Sequence, residues 1–279
     1  MFCPRFVLIP VLALVPSWGV TATETNHNAP VFPDQDCCTQ AVVAPPEAKP
    51  LPADIVDEFK IVSWNIAKGN TDGWLEDLRT IAEGAQLVML QEAVLIDEMK
   101  QPHAEPIYWS FSPGYRTEVF RSGVMTLSRV EPTMICSLSS REPWLRSPKT
   151  TSITQYRYAA DRDPVLVVNM HAINFTFGVA AYTAQLETIG EILRSHPGPI
   201  IFSGDLNAWS GPRAKALASM TAQLGLAPVT FEPDHRVRRF GRALDYVFVR
   251  GLEVRDSHTV EVETSDHNPL IMTLAIADS

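Results

Sequence analysis

The chain has 279 residues, a formal net charge of -9, 46% hydrophobic and 20% charged residues. That apolar share can bury a core, which excludes a wholly disordered or collagen-like chain. The acidic balance excludes a protein that coats nucleic acid through overall charge, and beyond the first residues no apolar run approaches the roughly 20 needed to cross a bilayer.

Residues 1–22 read as a secretory signal. Arg5 is the only charge, an apolar stretch runs from Phe6 to Val15, and Val20-Thr21-Ala22 offers small residues for cleavage. The competing reading is an uncleaved anchor, which Pro10 and Pro16 make short and broken. Export with cleavage predicts a secreted or periplasmic protein with no stable membrane span. Residues 23–58 hold six prolines and seven acidic residues against Lys49 alone, a composition expected to stay a disordered tether. Residues 59–279 form the expected single folded domain, and they carry a net charge of only -4. Cys37, Cys38 and Cys136 would outlast cleavage, and an odd count leaves one thiol unpaired or intermolecular in an oxidising compartment. A Cys37–Cys38 bond would be strained. Cys136 either bonds one of them or is a small buried apolar residue.

From Phe59 onward, short apolar runs alternate with helical patterns. Lys60 to Ile66 and Gln86 to Gln91 predict buried strands, with Trp74, Leu75, Leu78, Ile81 and Ala82 at helical spacing between them and Gly84 as the stop. Ser122–Leu127, Thr133–Leu138 and Thr150–Tyr156 are β-rich, and Val165–Met170 is a further buried strand. Tyr182, Leu186, Ile189, Ile192 and Leu193 make one helix face. A strand at Pro199–Ser203 follows, then a helix capped by Ser210 and running through Leu217, Met220 and Leu224. Strands around Leu244–Val249, Glu253–Glu263 and Leu270–Ile276 finish the chain. The pattern predicts a layered α/β sandwich of two packed sheets with helices outside.

Strand after strand ends on a polar residue: Asn65, Glu92, His171, Asp205. Sheets that end this way gather those residues at one rim. Glu92 and Asp266 offer hard anionic oxygens and Asn65 a neutral one, a set suited to Mg²⁺ or Mn²⁺, which keep several waters. Asp205 and Asn207 are two apart, so in an extended segment both would face one way and could hold a water and an oxygen of the group it attacks. Asp245, inside an apolar strand, needs a partner; as the partner of His267 it would raise that histidine's pKa.

Six segments in this order, Ser63-Trp64-Asn65-Ile66, Gln91-Glu92, Asn169-Met170-His171, Gly204-Asp205-Leu206-Asn207, Leu244-Asp245-Tyr246 and Ser265-Asp266-His267-Asn268-Pro269, resemble the endonuclease/exonuclease/phosphatase (DNase I-like) superfamily, closest to its bacterial YafD-type branch. The resemblance implies a four-layer α/β/β/α sandwich and metal-dependent hydrolysis of phosphate esters. It implies Glu92 as principal metal ligand, assisted by Asn65, with Asp266 acting directly or through water. Asp205 would align or deprotonate the attacking water with support from Asn207, while His171 and His267 contact the phosphate and Asp245 orients His267. Whether the aspartate or the histidine is the base stays open.

The basic run His235 to Arg242 precedes the Asp245 strand, and Arg239 and Arg242 are its candidate phosphate contacts. Arg141, Arg146 and Lys149 form a second candidate rim. The expected substrate is a phosphodiester, nucleic acid before lipid headgroup. The alternatives are a phospholipid or phosphoinositide phosphohydrolase and, from another class, a catalytically silent binding module on the same fold.

Overall fold

Side chains alternate between the faces of a strand, so the near-continuous apolar runs of most strands give two apolar faces, and each must be covered on both sides. The computed structural model describes residues 22–43, 55–100, 107–116, 120–143, 147–158 and 162–277. In chain order it begins with short strands β1 (Glu24–Thr25) and β2 (Val31–Phe32) and helix α1 (Gln35–Val43). Then come β3 (Glu58–Asn65), α2 (Trp74–Ile81), β4 (Leu87–Val94) and α3 (Asp97–Lys100). Strands β5 (Tyr108–Arg116), β6 (Arg121–Ser128), β7 (Met134–Arg141) and β8 (Pro148–Tyr156) follow. The next stretch alternates: β9 (Val165–His171), α4 (Ala180–Arg194), β10 (Ile200–Asp205), α5 (Gly211–Gln223). Short strands β11 (Ala227–Pro228), β12 (Arg238–Arg239) and β13 (Arg242–Ala243) lead to β14 (Asp245–Arg250), β15 (Leu252–Thr259) and β16 (Leu270–Ile276).

One seven-stranded sheet has the order β1-β5-β6-β4-β3-β16-β15 and the other β11-β14-β10-β9-β8-β7-β2. Three buried clusters fill three interfaces. Phe59, Ile61, Leu87 and Met89 of the first sheet meet Val165, Val167, Ile201 and Val247 of the second. On the outer face of the first sheet, Val62, Trp64, Val88 and Leu90 pack with Leu78 and Ile81 of α2. On the outer face of the second, Leu166, Val168 and Phe202 pack with Tyr182, Leu186, Ile189 and Leu193 of α4. Each such apolar side chain contributes roughly 1.5–3 kcal/mol by leaving water, so a charge at Leu186 would detach α4. The result is the expected four-layer α/β/β/α sandwich.

Gly204 has φ 144, and a Cβ there would lie 1.9 Å from Met170 O. Only glycine lets β10 lie this close to β9 just before Asp205; the constraint is a close approach rather than a free turn.

The structure departs from the sequence expectations in four places. Residues 22–43, expected within the disordered tether, are folded: β1 pairs with β5, β2 lies parallel to β7, and α1 packs Cys38, Ala41 and Val42 into the outer cluster. Composition missed this because the anchor is covalent and long-range, a Cys38–Cys136 disulfide with Cα atoms 5.7 Å apart. No described cysteine is free. The expected signal, residues 1–22, lies outside the described residues up to Thr21, as does the tether over 44–54 and Arg146. Strand β5 was not anticipated; its ladder takes up Pro113 and Gly114 at an irregularity between Pro113 and Tyr115. Ser210 precedes α5 in extended backbone, but its side chain makes no capping bond. Strand β15 stops at Thr259, short of the expected Glu263.

The disulfide closes a sequence separation of 98 residues, and a loop of that order constrains the unfolded chain by roughly 4–5 kcal/mol. Cys136→Ser should therefore lower stability by several kcal/mol in denaturant titration and expose residues 22–43 to protease first. Unchanged midpoint and cleavage pattern would show that the segment holds without its bond.

Candidate active site

The face between the sheets supplies the site. It carries Ile61 on β3, Met89 on β4, Val167 on β9, Ile201 on β10 and Val247 on β14. Followed in steps of two along each strand, it reaches Asn65, Gln91, His171, Asp205 and Asp245. Asp205 stands in register with His171 on one side and Asp245 on the other, and Asn65 pairs with Gln91. Glu92 falls one residue out of step. A register irregularity between Leu90 and Ala93, with Glu92 at φ 49, re-aims its carboxylate.

Strands β4, β3 and β16 thus lie over β9, β10 and β14, and three polar contacts cross the gap. Glu92 Oε1 is 3.8 Å from His171 Nε2. Asn65 Nδ2 donates to Asp205 Oδ2 at 3.2 Å. His267 Nδ1 and Asp245 Oδ2 are 2.7 Å apart. Beneath them a polar layer seals the apolar core: Gln91 Nε2 donates to Asn169 Oδ1 at 2.7 Å, and Asn169 Nδ2 donates to Met125 O at 3.0 Å. Both residues are fully buried, and losing one partner would leave the other unsatisfied at a cost of about 1–3 kcal/mol.

Burial would lower the pKa of His267. The charge and hydrogen bond of Asp245, with Asp205 and Asp266 beyond, instead push it up to about 10. Its Nδ1 is committed to Asp245, which leaves Nε2–H as the donor toward a ligand. Asp205 moves the other way from a free carboxyl: burial first, then Asp245 and Glu92, raise it to about 6 against the pull of His267 and Lys149. Its Oδ1 is buried without a hydrogen-bond partner among the described residues. His171 is held well below the usual histidine range by burial and by Lys149, His267 and Lys68. It is therefore neutral, and Lys149 Nζ, 2.7 Å away, donates to its Nε2.

Asp205, Asp245 and His267 offer ligand atoms within 4.8 Å of one another. A protonated His267 already bonded to Asp245 repels a cation, so the trio is a proton network rather than a metal cage. The hard-oxygen set lies beside it. Ser265 Oγ donates to Asn65 O at 2.7 Å, which fastens the loop carrying the exposed Asp266 to the end of β3, and Glu92 lies on the adjoining β4. Glu92 Oε2 is 2.6 Å from Lys68 Nζ in a pair exposed by 39% and 21%. Such a pair stabilises by only about 0–1 kcal/mol, so the ammonium holds the Glu92 carboxylate weakly. A cavity of about 330 Å³ opens here, lined by Lys68, Glu92, Lys149 and His171 together with Gly114 and Gly123.

Eight of the ten residues singled out in the sequence converge at this end of the sandwich; Arg239 and Arg242 do not enter the cluster. They face each other across the β12–β13 hairpin, exposed to solvent, and touch none of the eight. Asn207 is present but not as expected. The chain leaves the strand after Asp205, Asn207 has φ 48, and its Nδ2 donates to Ala172 O at 3.3 Å instead of lying parallel to the Asp205 side chain. His171, expected to contact phosphate, lines the cavity together with Lys149.

Lys149, named in the sequence as part of a second rim, lines the cavity. Two participants escaped the sequence. Lys68 lies on a turn where Ala67, Lys68 and Gly69 all have positive φ, and nothing local marks it. Arg213 is 1% exposed: it donates to Ile173 O at 2.6 Å, Asn174 O at 2.7 Å and Asn207 O at 3.1 Å, tying the loop after His171 to the loop after Asp205.

A model of the Endonuclease/Exonuclease/phosphatase family matches residues 62–267. A UPF0294 protein of Yersinia pseudotuberculosis is 42% identical over 229 residues, 81% of this chain and 86% of that one. D. rerio TDP2 complexed with single strand DNA product superposes with a TM-score of 0.53 at 15% identity, over 78% of this chain and 99% of that one. Sphingomyelinase C from Streptomyces griseocarneus gives 0.52 at 20% identity, over 78% and 99%. At those identities the two structures share the fold.

The folded pKa of His267 lies above its unfolded value, so its contribution to stability is complete below about pH 6.5 and is lost as pH rises through about 10. Asp245→Asn keeps the shape of the contact and removes the charge, while burial remains. The alkaline limb of the rate profile should then move down by several pH units, read as kcat/KM against pH. An unmoved limb would mean that His267 does not act as a cation.

Proposed function

We propose, since this chain belongs to the endonuclease/exonuclease/phosphatase family, that it is an exported, divalent-metal-dependent phosphodiesterase cleaving nucleic acid by in-line attack of water. The observation that carries the reading is the set of three cross-sheet contacts, which puts a cation-holding carboxylate, a buried carboxylate and a protonated histidine at one cleft.

Glu92, Asn65 and Asp266 fit Mg²⁺ or Mn²⁺, being hard oxygens of which one already holds an ammonium; a bound ion would offset charge on the phosphate oxygens. Asp205 orients the attacking water through its unpartnered Oδ1 and takes its proton. A carboxyl raised to about 6 is ionised at neutral pH yet basic enough for that transfer. His267, which keeps its proton up to about pH 10, donates from Nε2 to a phosphate oxygen and is a poor base. The assignment of base therefore goes to Asp205. Lys149, held by His171, supplies a second positive charge to the same phosphate.

Export rests on the pattern of residues 1–22 and on the Cys38–Cys136 bond, which persists in oxidising compartments; the reading is secreted or periplasmic. Nucleic acid is favoured over a lipid headgroup by the exposed Arg239 and Arg242 beside the Asp245 strand, since guanidinium groups recognise successive phosphates.

A screen of DNA, RNA, sphingomyelin vesicles and inositol phosphates, with Mg²⁺ or Mn²⁺ and then EDTA, tests the reading. Nucleic acid should be cleaved, EDTA should stop it, and Asp205→Ala should lower kcat by at least about 10²-fold. Cleavage of lipid alone would move the substrate class. Hydrolysis unaffected by EDTA would remove the metal.

A further inference from the structure

The β12–β13 hairpin turns through Phe240 and Gly241, both at positive φ, 50 and 78. Two-residue turns of this kind favour asparagine, aspartate or glycine at both positions, because a bulky side chain there is strained. Phe240 nevertheless occupies the first of them and is 75% exposed. Its backbone is strained, and most of its ring surface remains in water. A residue held at such cost is explained by something it binds.

Its surroundings indicate what. The ring meets Trp209 at 5.8 Å between centroids. Trp209 is itself fixed on two sides: its Nε1 donates to Asn174 Oδ1 at 2.9 Å, and the buried Arg213 lies 4.8 Å over its ring. Next to Asn174, Phe175 is 57% exposed, its loop pinned where Glu142 Oε1 accepts the backbone N–H groups of Asn174 and Phe175. Aromatic surface from Trp209 and Phe240, with Phe175 next to the Asn174 that holds Trp209, therefore stands on the hairpin and on the loops that follow His171 and Asp205. The hairpin stem is bonded directly to the site, since Arg236 Nη1 donates to Asp245 O at 3.3 Å and both Leu206 and Asn207 donate to Leu244 O. Charge completes it. Asp234 pairs with Arg236 and Arg238, while Arg239 and Arg242 make no ion pair among the described residues and flank the ring.

We propose that Phe240, braced by Trp209 and flanked by Arg239 and Arg242, is a stacking platform for an unpaired base, so that the substrate is single-stranded nucleic acid. An exposed ring stacks on any base, the two guanidinium groups reach the phosphates on either side, and the scissile phosphate continues into the cleft. A base pair inside a duplex has no free face to offer. The inference rests on the nucleic-acid reading above and narrows it.

The test is binding of a fluorescein-labelled single-stranded oligonucleotide by the full chain in EDTA, followed by anisotropy, against a blunt duplex of equal length. Phe240→Asn suits the turn better than the native residue, so it should keep or raise the melting temperature. It should weaken single-strand binding about 5- to 100-fold, as loss of one stacked base does, with little effect on the duplex. Phe240→Trp should restore tight binding, and removing Arg239 and Arg242 together should lower the slope of log Kd against log salt by roughly two phosphate contacts.

Unchanged single-strand affinity in Phe240→Asn, or equal loss for strand and duplex, would overturn the platform, as would a fall in melting temperature showing the ring to be structural. Flotation with anionic phosphatidylglycerol vesicles that depends on Phe240 would overturn it in favour of a membrane contact. If the native chain cleaves lipid esters and no nucleic acid, the underlying nuclease reading fails; if it cleaves single strands while Phe240→Asn binds them normally, only the platform fails.

Discussion

The register between two facing sheets is the constraint on which the rest of this molecule depends. β4, β3 and β16 lie over β9, β10 and β14, and the space between them is filled first by Ile61, Met89, Val167, Ile201 and Val247. Next comes the hydrogen-bonded Gln91–Asn169 layer, and last the reacting groups. A slip of one residue in any of these strands would turn its polar terminus toward the helices. The Gln91–Asn169 pair resists such a slip, because the bond between their amide groups forms in one alignment only. Gly204 works to the same end, since no side chain fits between β10 and Met170 O. Catalytic geometry here is the final turn of a packing pattern that begins in the apolar core.

Charge follows from the same arrangement. A buried aspartate on each of two neighbouring strands, Asp205 and Asp245, would repel the other if both were left alone. The sheet opposite answers with one cation, His267, bonded to Asp245, and one neutral amide, Asn65, bonded to Asp205. That unequal answer separates the two proton affinities: the histidine keeps its proton to about pH 10, and Asp205 is ionised only above about pH 6. Burial, with the charges of Lys149, His267 and Lys68 added to it, then holds His171 neutral. One protonated imidazole, one carboxylate of raised proton affinity and one uncharged imidazole arise from the position of each group between the sheets.

Around this core the loops are braced from inside. Arg213 joins the segments after β9 and β10 by three hydrogen bonds to backbone oxygens and stacks against Tyr182 and Trp209. The hairpin at 238–243 is bonded back to Leu244 and Asp245 through Val237 and Arg236. At the far edge, the Cys38–Cys136 bond fastens α1 over the second sheet. Loops that carry function are ordinarily the mobile parts of a fold; here a buried guanidinium and a hydrogen-bonded stem tie them to the sheets.

The amino-acid sequence alone determined the layers and most of the reacting groups. Near-continuous apolar runs have one arrangement that covers both faces, and a polar residue closing such a run, as Asn65, His171 and Asp205 do, is visible without coordinates. Asp245 was legible for the same reason, a carboxylate in an apolar strand. Tertiary structure decided what depends on residues far apart in the chain. The order of residues 22–43 comes from a bond spanning 98 positions, and composition reads that stretch as disordered because it scores only local burial. Lys68 reaches Glu92 through a turn of positive φ, Arg213 is hidden in a helix that looks ordinary, and Asn207 leaves the strand that spacing would have continued. Phe175, Trp209 and Phe240 are separated by 34 and 31 residues, and no window along the chain contains them. A sequence states which side chains exist and which face of an element they share; which faces meet is fixed only when the whole core has packed.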